Sequence, residues 1–303
     1  MKLDQYCTHM ENSILFSIII PTYNRAELLK RCLESVEAQT YQNWEAIVVD
    51  NYSEDNTEEI VKSFNDPRIV FIKNHNYGVI SVSRNKALDI AKGDWVAFLD
   101  SDDCWYPNKL EYVLPYLNEY DLVYHGYMEN IPKTRLFQKR EHYFYEIKES
   151  TIPYVLLRGD PINPSCTCVR REAIGNTRFS EEKELIAVED YDFFLKLIEK
   201  QIKIKYLHVI LTLYDMSGCS HNEKAADRDE VILKKWSYAL TESERKEVFL
   251  QCIKQKAYYE LAAGNYAEAK KIFKMMMDTK LRHTKMIAIK GYIKSVLHIK
   301  GLF

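Results

Sequence analysis

Three carboxylates fall within four residues at Asp100-Ser101-Asp102-Asp103, directly after the apolar run Trp95-Val96-Ala97-Phe98-Leu99, and the nearest lysine downstream is Lys109. Like charges this close repel one another unless a cation is shared or the loop stays open to water. Oxygen ligands at the end of a strand suit Mg²⁺ or Mn²⁺, ions usually held by one or two carboxylates together with substrate phosphates. The same residues also suit a solvated turn in which Asp102 or Asp103 caps the following helix. A second acidic pair, Glu189-Asp190, opens a segment that carries Phe193, Phe194, Leu197 and Ile198, and acidic residues at a helix start complement its dipole.

For such groups to act together, strands must deliver them to one edge. Ser17-Ile18-Ile19-Ile20-Pro21 is a short apolar run ended by proline and reads as a central strand. Asn24 as a cap, with Glu27 three residues on, marks a helix start, and Leu28, Leu29, Cys32, Leu33 and Val36 share one face of that helix. A strand over 44–49 leads into a turn-rich loop over 50–56. A helix over 57–64, a strand over 69–72, a helix over 81–91 closed by Gly93, and a strand over 95–99 follow. This alternation predicts an α/β fold, a mostly parallel sheet with helices on both faces. Ligands bind such sheets beyond the carboxyl ends of the strands. Pro21-Thr22-Tyr23, Asp50 and the aspartates of 100–103 all sit at such ends, so one shared site is expected.

After Pro107 the alternation is lost. The pattern predicts a helix over 107–119, a strand over 121–127, strands over 165–170 and 204–214, and a basic, aromatic hairpin or loop over 133–145. From about residue 229 onward the chain reads as helical, and 257–273 has the small/aromatic rhythm of a tetratricopeptide-like hairpin in a single copy.

At 303 residues, 47% hydrophobic and 28% charged, the chain suits one large α/β domain plus an appendage. Its formal charge of −2 hides an asymmetry, because residues 254–303 hold eleven Lys/Arg against three Asp/Glu. Positive charge confined to that tail argues against a nucleic-acid partner. Seven scattered cysteines form no disulfide framework, and Cys166-Thr167-Cys168 lacks zinc-ligand spacing, which fits a reducing cytosol. The first residues lack an apolar signal core and no run of about 18 apolar residues occurs. An intracellular protein with at most peripheral membrane contact is therefore expected.

Residues 14–215 resemble the family-2 glycosyltransferases of the GT-A fold. The resemblance rests on five segments in order: Ser17-Ile18-Ile19-Ile20-Pro21-Thr22-Tyr23-Asn24-Arg25; Val48-Val49-Asp50 with Ser53; Ser83-Arg84-Asn85; Gly93-Asp94 with Phe98 to Asp103; and Glu189-Asp190. It does not extend to roughly the last eighty residues. The resemblance implies transfer of a sugar, with inversion, from a nucleotide diphosphate (UDP or dTDP favoured) to a hydroxyl of a glycan or lipid-linked acceptor in polysaccharide biosynthesis. It implies that Asp50 accepts the base N3–H, that Pro21, Thr22 and Tyr23 line the donor pocket, and that Arg84 lies near the nucleotide. By the same resemblance Asp100 and Ser101 face the ribose, Asp102 with Asp100 binds Mn²⁺ or Mg²⁺, and Asp190 is the general base with Glu189 beside it. The implied divisions are a tail over 1–13, a nucleotide-sugar half over 14–106, an acceptor half over 107–222 and a basic helical region over 223–303.

The chemistry is consistent with two separate carboxylate centres. A cation offsets charge on the departing diphosphate. A single inverting displacement needs a base on the face opposite the leaving group, typically worth ~10²–10⁴-fold. Two departures from the family pattern stand out: Asn51 and Tyr52 replace an acidic residue and a glycine after the base-binding aspartate, and Ser83 replaces a small alanine. The first leaves the choice of base open. His221 follows a strand where some relatives place a histidine near the metal. Residues 281–303 mix apolar residues with lysines and suit either an anionic membrane surface or packing on this chain or a second subunit. An alternative function is a catalytically silent nucleotide-sugar scaffold, which has no chemical reason to retain both carboxylate centres.

Overall fold

The computed structural model describes residues 14–130, 140–215, 225–279 and 282–298. They fall into two compact units, Met1–Ser150 with Pro161–Cys219 and Thr151–Asp160 with Ser220–Phe303. The tail over 1–13, most of the basic aromatic stretch and His221 lie outside the described residues.

In the first unit, β1 (Phe16–Thr22), β2 (Trp44–Asp50), β3 (Ile69–Lys73) and β4 (Trp95–Phe98) lie in the order β3-β2-β1-β4, all parallel. Every residue of β1 is buried, which is why its sequence runs apolar without alternation. Helices α1 (Ala26–Glu37), α2 (Thr57–Ser63) and α3 (Ile80–Ile90) make the crossovers. On one face of the sheet α1 packs Leu29, Cys32, Leu33 and Val36 with Phe16, Ile18, Ile20, Trp44, Ala46 and Val48. On the other face Phe98 meets Phe179, Phe193 and Phe194 edge-on, and the last two belong to α4 (Glu189–Glu199). The register pairs Thr22 with Asp50 and Asp50 with Lys73, so the strand ends are level.

Beyond β4 the sheet becomes mixed. β5 (Cys104–Trp105), β6 (Leu122–Asn130), β7 (Glu141–His142), β8 (Thr167–Arg170) and β9 (Ile204–Asp215) extend it in the order β4-β8-β6-β9-β5, with β7 paired to β6. β8 is antiparallel to both β4 and β6, whereas β6 and β9 are parallel.

Several local expectations differ from the structure. The helix expected over 107–119 is a single turn, Lys109–Val113, followed by the tight turn Leu114–Tyr116, because Pro115 lacks the N–H that would continue it. Asn24 does not cap α1. It has φ +49°, its N–H donates to Ser53 Oγ (2.8 Å), and its Oδ1 accepts from Glu54 N (2.8 Å). Asp55 from the neighbouring loop instead accepts from Ala26 N (3.0 Å), which satisfies a helix-end donor from a distance. α3 ends at Ala91, and Gly93 serves another purpose: a Cβ there would lie 2.5 Å from Ser17 N, so only glycine lets this loop pass β1. β8 begins at Thr167, after the turn Pro164–Cys166.

The second unit is helical in its C-terminal part: α5 (Ala225–Trp236), α6 (Glu242–Ala263), α7 (Tyr266–Met276) and α8 (Arg282–Val296). A capping box between Thr241 and Glu244 starts α6, and Gly264 at φ +86° ends it. Leu250, Ile253, Ala257 and Leu261 pack with Ala269, Ile272, Phe273 and Met276, closing the expected hairpin, and Ala288 of α8 joins the same core. Among the described residues no helix is long and apolar enough to cross a membrane.

Candidate active site

The loop after β4 is fastened from several directions. Leu99 N bonds Ile19 O (3.0 Å), and Asp103 N closes a turn onto Asp100 O (3.0 Å). Asp100 N donates to Ser165 Oγ (3.0 Å), while the carbonyl of Ser165 accepts from Trp105 Nε1 (2.8 Å) and Thr212 Oγ1 (2.9 Å). Neither Asp102 nor Asp103 caps the next helix, which is preceded by Asn108. Asp103 is buried and accepts from Asp215 N (2.8 Å), and burial followed by the charge of Asp100 pushes its carboxyl well above the ordinary range. Asp102 is also raised, first by burial and then by Asp100, with Asp215 adding to it and Arg25 opposing through a direct ion pair. Ser101 is buried in the same turn.

Arg84, on α3, is 3% exposed, and its guanidinium forks between two carboxylates: Nη1 to Glu189 Oε1 at 2.9 Å and Nη2 to Asp100 Oδ1 at 2.8 Å. Its guanidinium is held charged by Asp100 and Glu189 despite burial. A planar fork with five donors can bridge two anions in this way, whereas a lysine offers a single point of charge. The side chain expected near the nucleotide thus links the strand-end loop to the start of α4.

At that start, Glu189 Oε2 also accepts from Ala187 N (2.5 Å), a residue held at φ +70°. Asp190 accepts from Tyr191 N (2.8 Å) and its carboxyl is pushed up to about 6, first by burial and then by the charge of Glu189, with Arg84 pulling the other way. A carboxylate in this range is matched to proton transfer near neutral pH.

The ends of β1 and β2 form the third part. Asp50 is buried, and Ser53 engages its carboxylate through both N–H (3.0 Å to Oδ2) and Oγ, so in this structure it holds its own turn. Pro21 and Thr22 are buried, Tyr23 is 49% exposed, and Thr22 Oγ1 has no hydrogen-bond partner among the described residues. Tyr52 adopts φ +56°, and its ring stacks on His75 at 3.8 Å, with the Tyr77 ring 5.8 Å from that of His75. The bulky ring at the tight turn is therefore accommodated in the left-handed region and steadied by stacking.

These parts meet through neighbouring residues of one loop: Asn24 bonds Ser53, the partner of Asp50, and Arg25 pairs with Asp102. Arg84 then joins Asp100 to Glu189, the neighbour of Asp190 in the chain. Sequence reasoning had assigned no role to Arg25, Ser165 or Asp215. Arg25 was visible as the last residue of the first motif and Asp215 as an acid closing a strand, but nothing local marks Ser165.

The donor set suits a divalent cation. Asp102 and Asp100 provide hard oxygen ligands in one turn, paired here with the guanidinium groups of Arg25 and Arg84. Among the described residues no group of three or more His, Cys, Asp or Glu forms a self-sufficient metal cage. Two carboxylates that rely on phosphate oxygens for the remaining ligands are the usual Mg²⁺ arrangement.

Comparison with known proteins gives the family and the fold. A family model described as glycosyl transferase family 2 matches residues 17–178. The UDP-Glc:alpha-D-GlcNAc-diphosphoundecaprenol beta-1,3-glucosyltransferase WfaP of Escherichia coli is 32% identical over 205 residues, covering 66% of this chain and 76% of that protein. An uncharacterized glycosyltransferase of Methanocaldococcus jannaschii is 32% identical over 210 residues, 66% of this chain and 70% of that one. Among solved structures, S. aureus TarS 1-349 in complex with UDP-GlcNAc superposes with a TM-score of 0.62 at 20% identity, covering 93% and 90% of the two chains. The mannosyltransferase PcManGT of Pyrobaculum calidifontis, in complex with GDP-Man and Mn²⁺, gives 0.54 at 16% identity over 93% and 86%.

Proposed function

This chain belongs to glycosyl transferase family 2 and is a glycosyltransferase, and we propose that it moves a sugar, with inversion, from UDP or dTDP to a hydroxyl of a surface-polysaccharide or lipid-linked glycan. The observation that carries this reading is the Arg84 fork. It joins the strand-end carboxylates to the base helix, so that the two centres an inverting transfer requires belong to one site. WfaP, whose name states a UDP-Glc donor and a diphosphoundecaprenol-linked acceptor, supports the uridine donor and the lipid-linked acceptor. A nucleotide donor and a lipid-linked acceptor would bring the reaction to the cytoplasmic face of the cell membrane.

In this reading Asp190 takes the proton from the acceptor hydroxyl as that oxygen attacks the anomeric carbon and the diphosphate departs on the opposite face. The carboxyl of Asp190 is raised by burial and by the neighbouring charge of Glu189, which is paired with Arg84. Arg84 positions both centres and touches neither reacting atom. Asp50, Pro21, Thr22 and Tyr23 receive the base, and Asp100 with Ser101 receives the ribose. Mn²⁺ or Mg²⁺ held by Asp102 with Asp100 would spread the charge gathering on the diphosphate.

Calorimetric titration with UDP, dTDP and GDP, each with Mn²⁺ and again with EDTA, tests the proposal. Binding of UDP or dTDP that needs the metal is the expected result. Binding of GDP alone would overturn the pyrimidine assignment, and equal binding in EDTA would overturn the role of Asp102.

A further inference from the structure

Helix α8 exposes one apolar face. Met286 (50% exposed), Ile289 (36%), Ile293 (50%) and Val296 (45%) recur at three- and four-residue spacing, and Leu297 (60%) follows the helix on the same side. The stripe is about 16 Å long at 1.5 Å per residue. Its opposite face is locked inward: Thr284 Oγ1 accepts from Gln251 Nε2 (2.7 Å), and Ala288 and Ser295 are buried. A Cβ at Gly291 would come within 2.3 Å of the Phe273 ring, so the helix sits against α7 as closely as a glycine permits. The stripe cannot turn inward without giving up those contacts.

Charge says what covers it. Arg282–Val296 contains no acidic residue, and on the helical wheel Lys285 borders the stripe on one side and Lys290 and Lys294 on the other. A second copy docked through this stripe about a twofold axis would set basic rim against basic rim. An anionic surface is complementary to all of it. We propose that this face of α8 binds an anionic lipid bilayer, the apolar stripe entering the acyl boundary and the flanking lysines facing headgroup phosphates. The inference goes beyond the proposed transferase reading and stands on α8 alone, although a lipid-linked acceptor gives such a surface its use.

Co-sedimentation of the full chain with vesicles of phosphatidylglycerol mixed with phosphatidylcholine, and with vesicles of phosphatidylcholine alone, tests it. The chain is expected to pellet with the anionic vesicles only, and less so as salt rises. Ile289→Glu with Ile293→Glu, both on exposed positions, is expected to weaken binding about tenfold or more, and Lys285→Ala alone about fivefold. UDP binding by the same variants serves as the check on folding and separates this proposal from the donor site. If the unmodified chain stays in solution with anionic vesicles while still binding UDP, the bilayer proposal is wrong and the transferase reading stands. Undiminished vesicle binding by the double glutamate variant would overturn the assignment to α8. A dimer in sedimentation velocity that the glutamates dissociate, without vesicle binding, would make a second copy the occupant and overturn it equally.

Discussion

The loop at 100–103 and the start of α4 are both short acidic clusters, both buried enough to raise a carboxyl, yet the carboxylates proposed to act in them are partnered differently. In the loop, Asp102 pairs with Arg25 and Asp100 with Arg84, while Asp103 accepts from a backbone N–H. At α4, Arg84 is spent on Glu189, and Asp190 has a backbone N–H as its hydrogen bond, leaving its carboxyl at about 6. Two clusters that read alike in sequence therefore suit different work. The first suits holding cations and the groups that travel with them, the second accepting a proton. One guanidinium, that of Arg84, links the two clusters.

The largest expected effect separates them outright. Asp190→Asn keeps the shape and its helix position but cannot accept a proton, so turnover should fall ~10²–10⁴-fold with affinity for UDP unchanged, measured by transfer rate beside calorimetry. Normal turnover would mean the proton goes elsewhere. Arg84→Met should come next. It leaves Asp100 and buried Glu189 without their shared cation, at a cost of ~3–5 kcal/mol in denaturant unfolding. Arg84→Lys keeps the charge but loses the fork, and should lower kcat more than it raises KM. A Lys variant with wild-type kcat would show that charge alone, not two-point geometry, couples the clusters. The mildest effect is in pH. On the proposal that Asp190 is the base, with its carboxyl at about 6, kcat should be flat above about pH 7 and fall towards tenfold per unit below pH 6. In Arg84→Met the loss of a cation that lowers Asp190 should move this limb to higher pH.

Much of the parallel half was legible because β1, β2 and β4 are buried on both faces and so spell continuous apolar runs, as Ser17 to Pro21 and Trp95 to Leu99 do. Asp50, Asp100 and Asp102 could be placed at strand ends for the same reason. The mixed half was harder. β8 was expected over 165–170 but begins only after the turn Pro164–Cys166, and β5 is two residues long and carries no periodic signal. Asn24 misled because its neighbours have a capping pattern, while the donor it was expected to satisfy is met by Asp55 from a different loop.

Local sequence was enough to determine the strands, the crossover helices, the acidic character of both clusters and the basic, apolar mixture of the tail, since burial and periodicity are written into adjacent residues. Tertiary structure alone decided that Arg84 lies between Asp100 and Glu189, that Ser165 holds the loop, that Ser53 occupies the carboxylate of Asp50, and which face of α8 packs against α7. Those contacts join residues from separate elements, and their distances depend on how the strands are ordered and how closely helices pack. No spacing along the chain encodes either quantity.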